Sequence, residues 1–88
     1  MQRNFRIQIE DNPVIYIVTI SQNEDGYLGY YRVINEELAL KVFRGFETIE
    51  SLFSQIRNDV NQNIGRIINV QETFLEPLPE RTIRFLSN

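Results

Sequence analysis

The side chains best suited to recognition chemistry are four tyrosine rings and one guanidinium group on two neighbouring predicted strands. They are Tyr16, Tyr27, Tyr30, Tyr31 and Arg32. Aromatic rings on an open sheet can stack the bases of single-stranded nucleic acid, whereas tyrosine is also enriched in protein–protein interfaces. We treat the five residues as a candidate interface. Core packing or protein contact is favoured over base stacking, because tyrosine also packs well across strands.

The charge of the chain argues against nucleic acid as the main partner. The formal net charge is −3, and the arginines are scattered along the sequence. A nucleic-acid module normally shows a basic excess, because phosphate neutralisation supplies most of its non-specific affinity. We therefore expect weak binding of nucleic acid or none, and keep single-strand binding through the tyrosines and Arg32 as the alternative function.

The composition also argues against catalysis. The chain has no Cys and no His, and its only lysine is Lys41. Thiolate chemistry and disulfides are therefore impossible, and the usual general base and commonest metal ligand are missing. Ser51 and Ser54 have no base partner in the pattern. We expect no enzyme, no catalytic residues and no cofactor.

Acidic pairs occur at three predicted turns. In a meander the first and third turns lie at the same end of the sheet, where carboxylates could share a divalent cation. Acidic turns are more simply explained as solvated segments, and no ligand-loop spacing is present, so we predict no metal site. The pairs are Glu10–Asp11, Glu24–Asp25 and Glu36–Glu37.

The length and hydropathy predict one soluble domain. The 88 residues are 42% hydrophobic and 24% charged, close to globular averages. No run approaches the roughly 18 apolar residues of a membrane span. The first residues lead into a strand rather than a signal peptide. We expect a single domain over residues 1–88 and a cytoplasmic location, with no membrane contact.

Five segments read as strands. Alternating or continuous apolar residues separated by turn formers are typical of strands. The second is apolar on both faces, as expected for a central strand. In the third, Tyr27, Gly29 and Tyr31 share one face, and Gly29 indicates a bulge or a close approach of another backbone. The segments are residues 5–10, 14–20, 27–34, 38–44 and 67–74.

One helix is predicted over residues 48–64. Thr48 is a suitable N-cap, and Gly65 stands where a left-handed C-terminal cap is wanted. The apolar side chains recur at steps of three and four residues and form a single stripe. They are Ile49, Leu52, Phe53, Ile56, Val60 and Ile64.

These elements predict an α+β fold, in which an antiparallel sheet of about five strands in the order β-β-β-β-α-β carries one helix on one face. Pro77 and Pro79 interrupt any ladder after the fifth strand. Residues 77–88 are therefore either an extended tail or an edge strand, with residues 82–86 as the candidate sixth strand.

Part of the chain resembles the N-terminal domain of HicB-type antitoxins. The resembling segments are the strand of residues 16–20, the acidic-glycine turn of residues 24–27, and Gly45 followed by residues 48–52. The match covers less than half of the chain. The resemblance implies binding of a small protein partner and oligomerisation, without catalysis.

We therefore expect a non-enzymatic protein-binding or assembly module that acts through its sheet face or strand edges. One helix is too narrow to cover a sheet of five strands, and it leaves the second face without cover. The segment after Pro79 is the alternative cover for this surface. Otherwise an uncovered apolar face usually marks an interface, so we expect a homodimer, sheet against sheet or edge to edge.

Overall fold

The computed structural model describes residues 2–74 and the backbone of residues 84–85. Five antiparallel strands and a two-residue sixth strand form one sheet in the order β5-β1-β2-β3-β4-β6, and one helix crosses one face. The predicted α+β class is thereby confirmed. The elements are β1 (Gln2–Ile9), β2 (Asn12–Asn23), β3 (Gly26–Val33), β4 (Leu38–Phe46), α1 (Ile49–Asn63), β5 (Ile67–Thr73) and β6 (Arg84–Phe85).

The first four strands form a meander with tight turns. Asp11 has a φ of 57°, so the first turn lies at Glu10–Asp11, and β2 begins two residues earlier than the sequence pattern predicts. Gly26 closes the second hairpin with a φ of 119°. A Cβ atom there would collide with the carbonyl oxygen of Phe46, so only glycine fits this corner.

The helix begins and ends close to the predicted positions. The Thr48 hydroxyl accepts a hydrogen bond of 3.1 Å from the backbone N–H of Ser51, which satisfies one of the open donors of the first turn. At the other end, the N–H groups of Ile64 and Gly65 both donate to the carbonyl oxygen of Val60. The two caps therefore set the length of the helix, which spans the residues that carry the apolar stripe.

The main core lies between α1 and the sheet. Leu52, Ile56 and Val60 are fully buried there, whereas Phe53 is only half-buried. Helix and sheet approach closely at Gly29, where an added Cβ would lie 3.0–3.2 Å from the methyl groups of Ile56 and Leu52. The sheet contributes side chains from four strands, namely Phe5, Ile7, Ile9, Tyr16, Val18, Ile20, Tyr31 and Phe43.

The second face of the sheet is buried at its centre, on β2, β3 and β4, in contrast to the prediction of an uncovered apolar face. Ile17 and Thr19 are 1% exposed, and Tyr30 packs with Ala39 in a smaller cluster. The Thr19 hydroxyl donates a buried hydrogen bond of 2.7 Å to the side-chain oxygen of Asn4. Because these groups are buried within one chain, this face gives no support to dimerisation.

The last strand lies at the edge formed by β4. Leu38 pairs with Arg84 and Ala39 with Phe85, in parallel orientation, so the sheet is mixed at this one strand. The edge-strand alternative for the C-terminal segment therefore holds for these two residues. The remainder of the predicted tail at 77–88 lies outside the described residues.

Candidate functional site

The five residues predicted as an interface do not share one surface. Tyr16, Tyr27 and Tyr31 pack into the core on the helix side, where Tyr16 and Tyr31 are buried and Tyr27 is half-buried. Tyr30 and Arg32 lie on the opposite face, and both are buried. The alternation of β3 divides the set, so the rings provide no continuous platform on which bases could stack.

The guanidinium of Arg32 is held inside the protein. Its Nη1 donates a hydrogen bond of 3.2 Å to the carbonyl oxygen of Glu36, whereas its buried Nε has no hydrogen-bond partner among the residues that the structure describes. Arg32 is 5% exposed and stands between Ile17 and Ala39 in the strand register. This guanidinium is therefore not displayed towards an external phosphate.

A buried polar cluster that the sequence pattern did not reveal joins the helix to the sheet. The Tyr31 hydroxyl donates a hydrogen bond of 2.5 Å to Oδ2 of Asp59, and Lys41 Nζ lies 3.3 Å from Oδ1 of the same carboxylate. Asp59 is itself buried. It lies three residues after Ile56 and seven after Leu52, so it falls on the apolar stripe, and this spacing was the signal that could have identified it.

The cluster holds Tyr31 in its neutral form. Burial raises the pKa of the Tyr31 hydroxyl well above its usual range, and the hydrogen bond to the Asp59 carboxylate raises it further. A protonated donor is what the arrangement requires, because an ionised tyrosine would face a buried carboxylate. The cluster therefore fixes the position of α1 on β3 and β4.

The exposed apolar surface of the described residues is concentrated at the edge strand β5. Ile68 is 56% exposed, Val70 38% and Phe74 97%. β5 pairs with β1 on its inner side and has no neighbouring strand on its outer side among the described strands. An edge with apolar side chains and open backbone groups is a template on which another strand can pair.

A groove of about 440 Å³ separates this edge from the C-terminal half of α1. Ile67, Ile68 and Val70 line it from the strand, and Arg57 lines it from the helix. Arg66, at the start of β5, makes an exposed ion pair of 3.5 Å with Glu10. Arg57 has no ion pair among the residues that the structure describes. Asn61 and Asn69 complete the lining, so the groove combines three apolar strand side chains with two asparagines and two arginines.

The other end of β5 is electrostatically satisfied. Arg3 makes a bidentate ion pair with Glu72, with distances of 2.9 and 2.8 Å, and its guanidinium lies 5.2 Å from the ring centroid of Phe5. The hydrogen bond raises the pKa of Arg3 and lowers that of Glu72. Glu72 is thus already engaged, whereas Arg57 on α1 and Arg66 just before β5 are the less satisfied charges beside this edge.

Two further features of the described residues bear on the sequence predictions. Over residues 2–74, no three carboxylates come close enough together to hold a metal ion. Within the same part of the chain, α1 is too short and too polar to cross a membrane.

The edge of β5 and the groove beside α1 are therefore the candidate functional site. In comparisons with known proteins, no family model, no curated protein and no solved structure matches this chain.

Proposed function

We propose that this protein is a non-enzymatic binding or assembly module that pairs the open edge of β5 with an extended strand. The observation that carries the proposal is the exposure of Ile68, Val70 and Phe74 on and just after an edge strand. Both faces of the sheet are largely buried, so the edge is the part of the sheet best placed to accept a partner.

Strand addition has a simple physical basis. The outer N–H and C=O groups of an edge strand can form a new antiparallel or parallel ladder, and alternate side chains of the added strand then supply specificity. Natural edges usually carry lysine or proline, or are covered, to prevent such pairing. β5 contains neither lysine nor proline. Its sequence is therefore suited to pairing with another strand.

A homodimer is one form of this assembly. Two copies of β5 related by a twofold axis through Asn69 would place Ile68 of each copy opposite Val70 of the other. This antiparallel pairing would cover the two exposed β-branched side chains of each copy and join the two sheets edge to edge. The sequence left a sheet face and the strand edges both open as the contact surface, and the proposal uses an edge.

The resemblance to HicB-type antitoxins supports the same class of function, because it implies a small protein partner. Single-strand nucleic-acid binding through the tyrosines and Arg32 has weaker support, since four of these five side chains are buried. The proposal therefore assigns no role in external contacts to these four residues.

Photocrosslinking in cells tests whether the edge of β5 contacts another polypeptide chain. A photoreactive benzoylphenylalanine at Ile68 should give a covalent adduct, either with a second copy or with another protein. The same amino acid at Gln55, an exposed position of the helix, is the matched control. Absence of an adduct at both positions, or equal adducts at both, would contradict the proposal.

Sedimentation equilibrium tests the homodimer separately. We expect a species of twice the 10.5 kDa chain mass at high micromolar concentration. Ile68→Lys should dissociate the dimer. Gln71→Lys should not, because it adds the same charge on the opposite face of β5. A monomer at every concentration would refute the dimer and leave pairing with another protein as the tested form.

A further inference from the structure

We infer that the groove between α1 and β5 binds an extended peptide of another protein whose groove-facing side chains, at every second position, include both apolar and acidic residues. The inference rests on the proposed strand addition and specifies its partner. The bound peptide would continue the sheet beyond β5, and every second side chain would enter the groove.

The shape of the groove fits this occupant. A strand added to an edge lies about 4.8 Å from it, which places the new strand next to the groove, and its side chains alternate between the two faces. Those on the helix side meet the apolar surface of Ile67, Ile68 and Val70. The volume of about 440 Å³ lies within the range of ligand-binding clefts.

The charge of the groove selects acidic side chains. Arg57 has no ion pair among the described residues, and Arg66 has a long, exposed one with Glu10. An exposed pair of this kind contributes little and exchanges readily. A peptide carboxylate could accept a bidentate pair of hydrogen bonds from either guanidinium, which is among the stronger polar contacts in proteins.

A second copy of this chain is less complementary in charge to the groove than an acidic peptide is. It would bring its own Arg57 and Arg66 to the same interface, and its one acidic residue on β5, Glu72, is already bound to Arg3. Two basic grooves would then share an interface with no free carboxylate on β5. An acidic strand from a different protein removes this mismatch, so it should displace a homodimer formed through the same edge.

Fluorescence anisotropy with designed peptides tests the inference on the full chain. The probe is a labelled peptide of the same length as β5, in which every second residue, on the groove-facing side, is valine or glutamate and the intervening residues are threonine. Three comparison peptides replace glutamate by lysine, replace valine by serine, or place a proline at the centre. We expect saturable binding of the first peptide and at least tenfold weaker binding of each of the other three.

Charge-matched variants locate the site. Arg57→Gln combined with Arg66→Gln should weaken binding of the valine–glutamate peptide about tenfold and reduce its salt dependence. Arg6→Gln removes the same charge from an exposed position of β1 on the opposite face and should leave binding unchanged. Circular dichroism confirms that each variant is folded.

Amide hydrogen exchange gives a second readout that does not depend on charge. Binding of the valine–glutamate peptide should slow exchange along β5 and leave β4, on the opposite side of the sheet, unaffected. Protection elsewhere, or equal affinity for the lysine or serine peptide, would overturn the inference.

Two further outcomes would also count against it. If a single-stranded oligonucleotide binds and is lost in the double arginine variant, the groove recognises phosphate instead of a peptide. If the Ile68 crosslink forms but no peptide binds, the peptide inference fails while the proposed strand pairing stands.

Discussion

Tyr31 and Asp59 are joined by a hydrogen bond of 2.5 Å that connects the middle of β3 to the buried side of α1. The carboxylate also lies 3.3 Å from Lys41 on β4, so one helix residue contacts two strands. A buried carboxylate is destabilising unless it is paired and hydrogen-bonded. Asp59 therefore favours one position of the helix along the sheet over positions that would leave it without partners.

Removal of the Tyr31 hydroxyl should be costly. We expect Tyr31→Phe to lower the free energy of unfolding by about 1.5–3 kcal/mol, because a hydrogen bond to a buried charged group is lost. Tyr27→Phe is the matched control, since Tyr27 is half-buried and makes no hydrogen bond to a described side chain; its effect should be below about 0.5 kcal/mol. Urea denaturation followed by circular dichroism measures both. Equal losses would contradict a specific role for the Tyr31–Asp59 bond.

The same bond should make stability sensitive to alkaline pH. The pKa of Tyr31 is raised in the folded state, so above about pH 10 the unfolded chain ionises first and gains stability relative to the folded one. The contribution of Tyr31 is therefore fully present below about pH 10 and is lost as the pH rises beyond it. The difference in unfolding free energy between the wild type and Tyr31→Phe should shrink from pH 9 to 11. A constant difference would show that Tyr31 does not titrate differently on folding.

The loss of unfolding free energy on truncating a side chain in the apolar stripe of α1 should depend on how deeply it is buried, not on its size. Leu52 is fully buried, whereas Phe53 is half-buried and contacts Phe5 edge-to-face at 5.0 Å between ring centroids. We expect Leu52→Ala to cost about 3–5 kcal/mol, near the upper part of the range for buried leucines. Phe53→Ala should cost less, about 1–3 kcal/mol, because part of the ring remains in water in the folded state. Chemical denaturation that ranks Phe53 above Leu52 would contradict the described packing.

A larger side chain at position 29 should destabilise the protein, because helix and sheet are close together there. An added Cβ would lie 3.0 Å from Cδ1 of Ile56 and 3.1 Å from Cδ2 of Leu52, so Gly29→Ala should destabilise by about 1–3 kcal/mol. In a Leu52→Ala background the same change should cost less, because the two crowding methyl groups of Leu52 are gone and only that of Ile56 remains. A double-mutant cycle measures this coupling. Additive effects would mean that the helix shifts away freely at this point.

The sequence pattern predicts the order and type of the elements because each has a strong local signal. The hairpin at Asp25–Gly26, the cap at Thr48 and the stop at Gly65 all lie where turn and capping preferences place them. The alternation in β3 also correctly assigns Tyr30 and Tyr31 to opposite faces. Strand order is a different matter: the pairing of β5 with β1 joins segments about 60 residues apart, and no local propensity encodes it.

The candidate site could be predicted only in part for the same reason. Tyrosines and Arg32 suggest an interface by residue type, but burial depends on tertiary packing that residue type does not reveal. The edge at Ile68 and Val70 becomes recognisable only once β5 is known to lie outermost. Asp59 could have been found from its place on the helix stripe, whereas its pairing with Tyr31 and Lys41 depends on the position of α1 across the sheet.

β1 lies inside the sheet, between β5 and β2. This position has a consequence for the order in which the protein folds during synthesis. β1 is made first, yet one of its sides pairs with β5, which is made after the helix. Until residues 67–73 leave the ribosome, the nascent meander of β1–β4 exposes the backbone edge of β1 to any other strand nearby. We therefore expect truncated chains ending before residue 67 to depend on chaperones, which ribosome-bound nascent chains of increasing length can test.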